Sequence, residues 1–161
     1  MQAIINMENG GEMRFELFGE KAPITVANFV SLAKQRFFDG LTFHRVVRNY
    51  VIQGGSADNT CTCPSEHTIV GEFAENGHDT GISHTRGTIS MARDDDFDSA
   101  GTQFFVVHAD ALKLDGRYAA FGRLVSGFDV LDEIASVKTA PPEQENRPLK
   151  RQVIASVRIE D

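Results

Sequence analysis

The apolar residues of this 161-residue chain come in short runs, and nearly every run is cut off by a glycine-bearing turn. Such spacing leaves room for strands of a few residues joined by tight connections. The opening shows the pattern: Ala3–Met7, then "ENGG", then Glu12–Phe18. Asn9-Gly10 is a strong hairpin signal. Met13, Phe15 and Leu17 alternate with Glu12, Arg14 and Glu16, which gives one buried face and one wet face. Further strands are expected at Thr42–Val47, Tyr50–Gln53, Gly87–Ala92 and Thr102–His108, after the Asp115-Gly116 turn, and in the closing "QVIASVRIE".

Only two stretches switch to a helical period. Val26, Phe29, Val30, Ala33 and Phe37 form one stripe, with Pro23 suited to the first turn and Lys34 and Arg36 to the last. Phe128, Leu131, Ile134 and Ala135 form the other, and Ser126 with Asp129 reads as a capping box. No repeat and no interior linker divides the chain, so a single domain over residues 1–161 is expected. Long βαβ units are absent. The order predicts a mainly β fold, a closed or nearly closed antiparallel barrel with helices over its open ends.

Net charge argues against several partners. At −7 the chain repels a phosphate backbone and an anionic bilayer, so neither nucleic acid nor membrane is expected. "MQAIINMENGG" has no basic or long apolar leader pattern, which makes the cytoplasm the expected location. Cys61 and Cys63 are too close in sequence to frame a disulfide scaffold, which fits a reducing compartment.

Familiar catalytic patterns are missing. There is no phosphate-binding glycine loop, no nucleophile elbow, and no pair of histidines at metalloprotease spacing. What stands out is "FHRVVRNYVIQGG", Phe43–Gly55, which sets Arg45 inside an apolar strand-like run and Gln53 eight residues later. An arginine keeps its proton, so Arg45 is no base; it is a rigid hydrogen-bond donor.

That segment, followed in order by "RGTISMA", "TQFFVV" and "LDGRYAAFGRL", resembles the cyclophilin family of peptidyl-prolyl cis–trans isomerases, of the bacterial single-domain type. "APITVANF" and "GFDVLDEI" are similar at the matching places, so the likeness spans nearly the whole chain. The resemblance implies a closed eight-stranded antiparallel β-barrel capped by two α-helices, with a shallow apolar pocket on its outside. It implies Arg45 as the catalytic arginine and Gln53 as the contact to the substrate backbone. Tyr50, Val51, Phe105, Leu114 and Tyr118 fall where the family walls its proline pocket. Ala92 and Arg93 fall on the edge that pairs with the substrate main chain. The implied substrates are proline-containing peptides and unfolded or folding proteins, and turning their X-Pro bonds needs no cofactor or metal; no long exposed apolar stripe demands a dimer, so a monomer is expected. His44 and Phe104 alternate away from these residues and are expected to pack in the core.

Three positions depart from the pattern. Lys113 stands where many members carry a tryptophan tied to binding cyclosporin, so weakened cyclosporin binding is expected. Tyr50 replaces a more usual phenylalanine and Tyr118 a frequent histidine, both mild changes. Cys61, Cys63 and His67 in "CTCPSEH" have soft-metal or redox potential, but a loop flanking the substrate groove is the expected role. Asp94–Asp98 reads as a solvated loop that the resemblance sets near the pocket, where its charge would favour basic residues beside proline. Two other functions stay open: a proline-binding module on the same fold, and a small-molecule barrel, which the filled interior implied by "QFFVV" disfavours.

Overall fold

The computed structural model describes all of Met1–Asp161. Eight strands, β1 (Gln2–Met7), β2 (Glu12–Leu17), β3 (Arg45–Val47), β4 (Val51–Gly54), β5 (Thr88–Met91), β6 (Phe104–Val107), β7 (Ala120–Ser126) and β8 (Ile154–Glu160), form one antiparallel sheet. Their order is β3-β4-β6-β5-β7-β2-β1-β8. Helices α1 (Pro23–Lys34) and α2 (Phe128–Ala135) complete the fold. No helix is long and apolar enough to cross a membrane.

The expected closed barrel is corrected to an open half-barrel. The terminal strands β3 and β8 share no ladder; the segment just before β3 meets the start of β8 through an isolated Thr42–Val153 bridge and backbone bonds of Gly40 and Leu41 with Ile154 and of Phe43 with Gln152. The physical cause lies in β3. It is three residues long, and the backbone N–H of Val46 donates to the carbonyl of Asn146 in a loop instead of to a strand. A loop that covers an edge removes the need to close the sheet.

Side chains alternate across this sheet as the strand period requires. Phe104 and Val106 point into a 28-residue core cluster that also takes Phe15, Phe29, Phe43 and Phe121. Phe105 and Val107 point outward into a separate cluster of five with Val51, Ala111 and Leu114. Both helices feed the inner core, α1 with Val26, Phe29 and Ala33 and α2 with Leu131, Ile134 and Ala135.

The helix ends are solved differently from the sequence reading. Pro23 does open α1, but its cap residue Ala22 offers no side-chain bond. The buried carboxylate of Glu72 supplies it from far along the chain, accepting from Thr25 N (2.7 Å), Thr25 Oγ1 (2.6 Å) and Ile24 N (3.3 Å). Unpaired N–H groups at a buried helix start would be costly. Glu72→Ala is therefore expected to cost about 1.5–3 kcal/mol, the range for bonds to a charged group, read as a lower urea midpoint at unchanged slope. An unchanged midpoint would mean that water replaces the carboxylate.

The Ser126–Asp129 capping box is also corrected. Ser126 ends β7, the cap is Gly127 at φ 97°, and no side chain caps the helix. A Cβ at residue 127 would run into the carbonyl of Glu12, so close approach to β2 selects glycine over a capping hydroxyl.

Candidate functional site

The ladder registers build the site. Arg45 pairs with Gln53, Gln53 with Phe105, and Phe105 with Ser90. Directly paired residues share a face. One row on the outer surface of the half-barrel therefore carries Arg45, Gln53 and Phe105, and the neighbouring row carries Val51 and Val107. This is why an arginine interrupts an apolar strand: Val46 beside it turns inward and is buried, while Arg45 turns outward and is half-buried.

A cavity of about 180 Å³ opens on this row, lined by Arg45, Tyr50, Val51, Gln53, Ala92, Arg93, Phe105, Leu114 and Tyr118. These are the nine positions singled out in the sequence, brought together from four separate segments. Phe105 forms the floor, with the Tyr118 ring edge-on at 5.7 Å. Leu114 comes from a 3₁₀ turn at Leu112–Leu114. Lys113, from the same turn, lays its ammonium over the Tyr50 ring at 4.6 Å.

Arg45 makes no ion pair. Its Nη1 donates to Gln53 Oε1 at 3.2 Å, and Gln53 Nε2 donates to Gln103 Oε1 at 2.9 Å. Gln103 Oε1 also meets His44 Nε2 at 3.2 Å, so His44 donates there and its buried Nδ1 has no partner. The cation is held in place without being neutralised, and its charge can act on a neighbour in the cavity.

Arg93 is fixed in another way. Its guanidinium lies 4.8 Å from the Phe73 ring, 5.2 Å from Phe97 and 4.9 Å from Tyr118, and it donates to the carbonyls of Arg117 and Asp94. Stacking on apolar rings suits its weak hydration. The Ala92 N–H is already given to the Gln103 carbonyl, whereas the Arg93 N–H has no partner.

Two residues escaped the sequence reading. Gln103 is the hub of the polar chain behind Arg45; its only signal is a polar residue directly before an apolar alternation. His84 is fully buried and stacks on Phe105 at 5.9 Å. Its Nδ1 bonds Asp115 Oδ1 and its Nε2 bonds Ser90 Oγ, both at 2.9 Å. The order Ser–His–Asp is that of a nucleophilic triad, but Ser90 is fully buried and no substrate can reach it. The chain ties the pocket floor to the turn bearing Leu114. His44, expected as core packing, is buried but belongs to the polar network of Gln103.

The remaining expectations fall outside this cavity. Asp96 and Asp98 bond within their own loop, and Asp98 also accepts from Gly71 N and Asn76 Nδ2. Asp94, Cys61 and Cys63 line an adjoining cavity of about 490 Å³ that shares Gln53, Ala92 and Arg93 with the first. No group of three His, Cys, Asp or Glu side chains converges as a metal site, and both cysteines are free thiols.

Burial holds His44 and His84 below the ordinary histidine value of 6.5. Asp115 and Asp132 are held below the ordinary carboxylate value: Asp115 against the opposing effect of burial, by bonds from Ser83 and His84, and Asp132 chiefly by Arg86. An unfolded chain takes up protons on both histidines once pH drops below about 6.5, whereas the folded chain takes them up only at lower pH. The unfolded state then binds more protons, and stability falls as pH falls. The urea midpoint is expected to drop between neutral pH and about pH 5.5, before the carboxylates begin to titrate. A flat profile over that window would mean that the two rings are protonated in the fold.

Residues 3–159 match the family described as cyclophilin type peptidyl-prolyl cis-trans isomerase/CLD. The peptidyl-prolyl cis-trans isomerase of Acinetobacter baylyi is 39% identical over 157 residues, covering 94% of this chain and 81% of that one. Peptidyl-prolyl cis-trans isomerase B of Bacillus subtilis is 43% identical over 123 residues, covering 76% and 82%. A crystal structure of a cyclophilin type isomerase from Cryptosporidium parvum, obtained in the presence of the dipeptide Ala-Pro, superposes with a TM-score of 0.89 at 23% identity, covering 100% of this chain and 99% of that one.

Proposed function

This chain belongs to the cyclophilin-type peptidyl-prolyl cis–trans isomerases, and on that premise we propose that Arg45 drives the rotation by hydrogen bonding to the proline nitrogen of the twisted amide. Rotation about a peptide bond meets a barrier of ~18–20 kcal/mol because the C–N bond is partly double. For an X-Pro bond the two isomers are close in energy but exchange slowly. No bond has to be made and no proton moved, so a catalyst needs only to favour the twisted state. There the nitrogen loses conjugation and regains a lone pair. A guanidinium aimed at it binds the twisted state better than the planar one.

The observation that carries this reading is a cation without a counter-ion on the rim of an apolar cavity. Arg45 has one side-chain bond, to Gln53, and faces a pocket whose floor is Phe105 and whose walls include Val51 and Leu114. In this reading the apolar residues hold the proline ring, and Gln53 contacts the flanking carbonyl. Tyr50 and Tyr118 close the rim, and the free Arg93 N–H pairs with the substrate main chain beside Ala92. Bringing exchange from tens of seconds to milliseconds takes about 10⁴-fold, or ~5.5 kcal/mol. One charge-assisted bond in a dry site together with positioning is of that size. The substrates are proline-containing peptides and folding proteins, and the protein acts on them as a monomer.

The test is exchange spectroscopy on an Ala-Pro peptide. Acceleration of the exchange at catalytic protein concentration is the expected result. Peptide binding in the cavity without acceleration would favour a proline-binding module instead.

Cyclosporin is expected to bind weakly, because Lys113 places an ammonium over Tyr50 where an indole would offer a flat apolar wall. Lys113→Trp should tighten cyclosporin about tenfold, the worth of one added aromatic contact and its buried area, and leave peptide turnover near its original level. Equal affinity by calorimetry would place the determinant elsewhere on the rim.

A further inference from the structure

The loop carrying Cys61 and Cys63 is attached to the catalytic arginine by side-chain bonds. Gln103 Nε2 bridges the carbonyls of Cys61 (3.4 Å) and Cys63 (3.5 Å). Gln103 Oε1 in turn receives Gln53 Nε2 and His44 Nε2, and Gln53 Oε1 receives Arg45. Both cysteines are free, partly exposed, and line the cavity of about 490 Å³ beside the catalytic pocket. The backbone carbonyls of two thiol-bearing residues therefore form the outer end of a polar chain whose inner end is the Arg45 guanidinium, while the Cys63 thiol itself reaches the Pro64 carbonyl, at 3.8 Å.

We propose that Cys61 and Cys63 form a thiol-modification site, closed to a disulfide by a small disulfide such as oxidised glutathione, and that closure lowers isomerase activity by releasing Gln103. The chemistry balances as two exchanges. The Cys63 thiolate attacks one sulfur of the glutathione disulfide, its S–S bond breaks, and the first glutathione leaves and takes up the proton that Cys63 gave. Cys61 then gives up its proton and attacks Cys63 Sγ, and the second glutathione leaves with that proton. The protein loses two hydrogens and the oxidant becomes two glutathione molecules. Cys61 is the slower partner, since burial pushes its thiol up to about 11, which assigns the first attack to Cys63.

The consequence follows from disulfide geometry. An S–S bond demands a Cβ separation and a dihedral angle that a single intervening residue meets only by turning the backbone. That turn moves the two carbonyls against Gln103, whose bonds to them, at 3.4 and 3.5 Å, are already at the long limit and have no slack to follow. Without that anchor Gln103 no longer fixes Gln53, and Gln53 no longer aims Arg45. The cysteines act through backbone and Gln103, so their role is positioning, and the loss should fall on kcat more than on KM.

The inference rests on the isomerase reading of the pocket, and its test separates the two. Wild type and Cys63→Ser are each treated with oxidised glutathione, then followed by intact mass, exchange kinetics and the side-chain amide resonances of Gln53 and Gln103. The expected result is loss of two hydrogens by wild type, a fall of about tenfold in kcat/KM carried by kcat, shifted amide resonances, and recovery with dithiothreitol. Cys63→Ser should start at wild-type activity and ignore the oxidant. A stable glutathione adduct, a disulfide with unmoved resonances, or equal inhibition of the serine variant would each overturn it. If the reduced protein does not accelerate exchange, the isomerase reading fails, and the amide resonances still decide whether the thiols reach Gln53.

Discussion

Replacing Arg45 by alanine is expected to lower kcat/KM for an X-Pro peptide by about 10²–10³ while the fold survives. The magnitude is that of losing one preorganised donor in a water-poor site, ~2.7–4 kcal/mol of transition-state stabilisation. The fold should tolerate the change. Arg45 lies half-buried on the outer face, makes no ion pair, and has one side-chain bond of 3.2 Å to Gln53. Removing it leaves Gln53 Oε1 facing the cavity, where water can replace the donor. Arg45→Lys should recover little, because an ammonium keeps the charge but cannot match the fork geometry. Exchange kinetics with circular dichroism as the folding control decide the matter. Equal rates for wild type and alanine variant would leave desolvation by Phe105 and Leu114 as the source of catalysis, and Arg45 as a structural residue.

Phe104→Ala should have the largest effect on stability, about 3–5 kcal/mol, the range for emptying a buried aromatic site. Phe104 is fully buried, with Phe29 at 5.5 Å, Phe38 at 5.4 Å and Phe43 at 5.9 Å, all close to edge-on. Its ring also backs Gly55, where a Cβ would strike the carbonyl of Thr102 and lie 3.0 Å from Phe104. Three aromatic partners and a glycine cannot close on the vacated space together. Typical domains have only 5–15 kcal/mol in hand, so the variant should unfold at far lower urea. Phe105→Ala, one residue on, offers the contrast: its ring floors the outer pocket, so turnover should suffer more than stability. A Phe104→Ala midpoint within error of wild type would mean that helix α1 collapses into the gap.

Much of this was legible in the chain. The period-two runs gave the strands, and the two helical stripes gave α1 and α2, because burial on one face leaves its period in the sequence. Some strands were overestimated: the run from Thr42 yields only Arg45–Val47, since apolar residues at a strand end can be buried without a ladder. The nine residues that line the cavity of about 180 Å³ could be named through likeness to a known family. Periodicity alone reaches only part of the way, showing Arg45 and Val46 on opposite faces.

Tertiary structure decided the contacts between residues distant in sequence. That Glu72 caps a helix about fifty residues upstream, that Gln103 joins the Cys61–Cys63 loop to Arg45, and that His84 lies beneath Phe105 have no local signature. Neither does the open edge between β3 and β8, which depends on where the Asn146 loop falls. The sequence by itself determined which faces are apolar, because hydrophobic burial acts on each residue through its own surface. Only the folded chain decided which polar groups meet, because a hydrogen bond needs two partners at one distance and angle, and their separation along the chain carries no record of it.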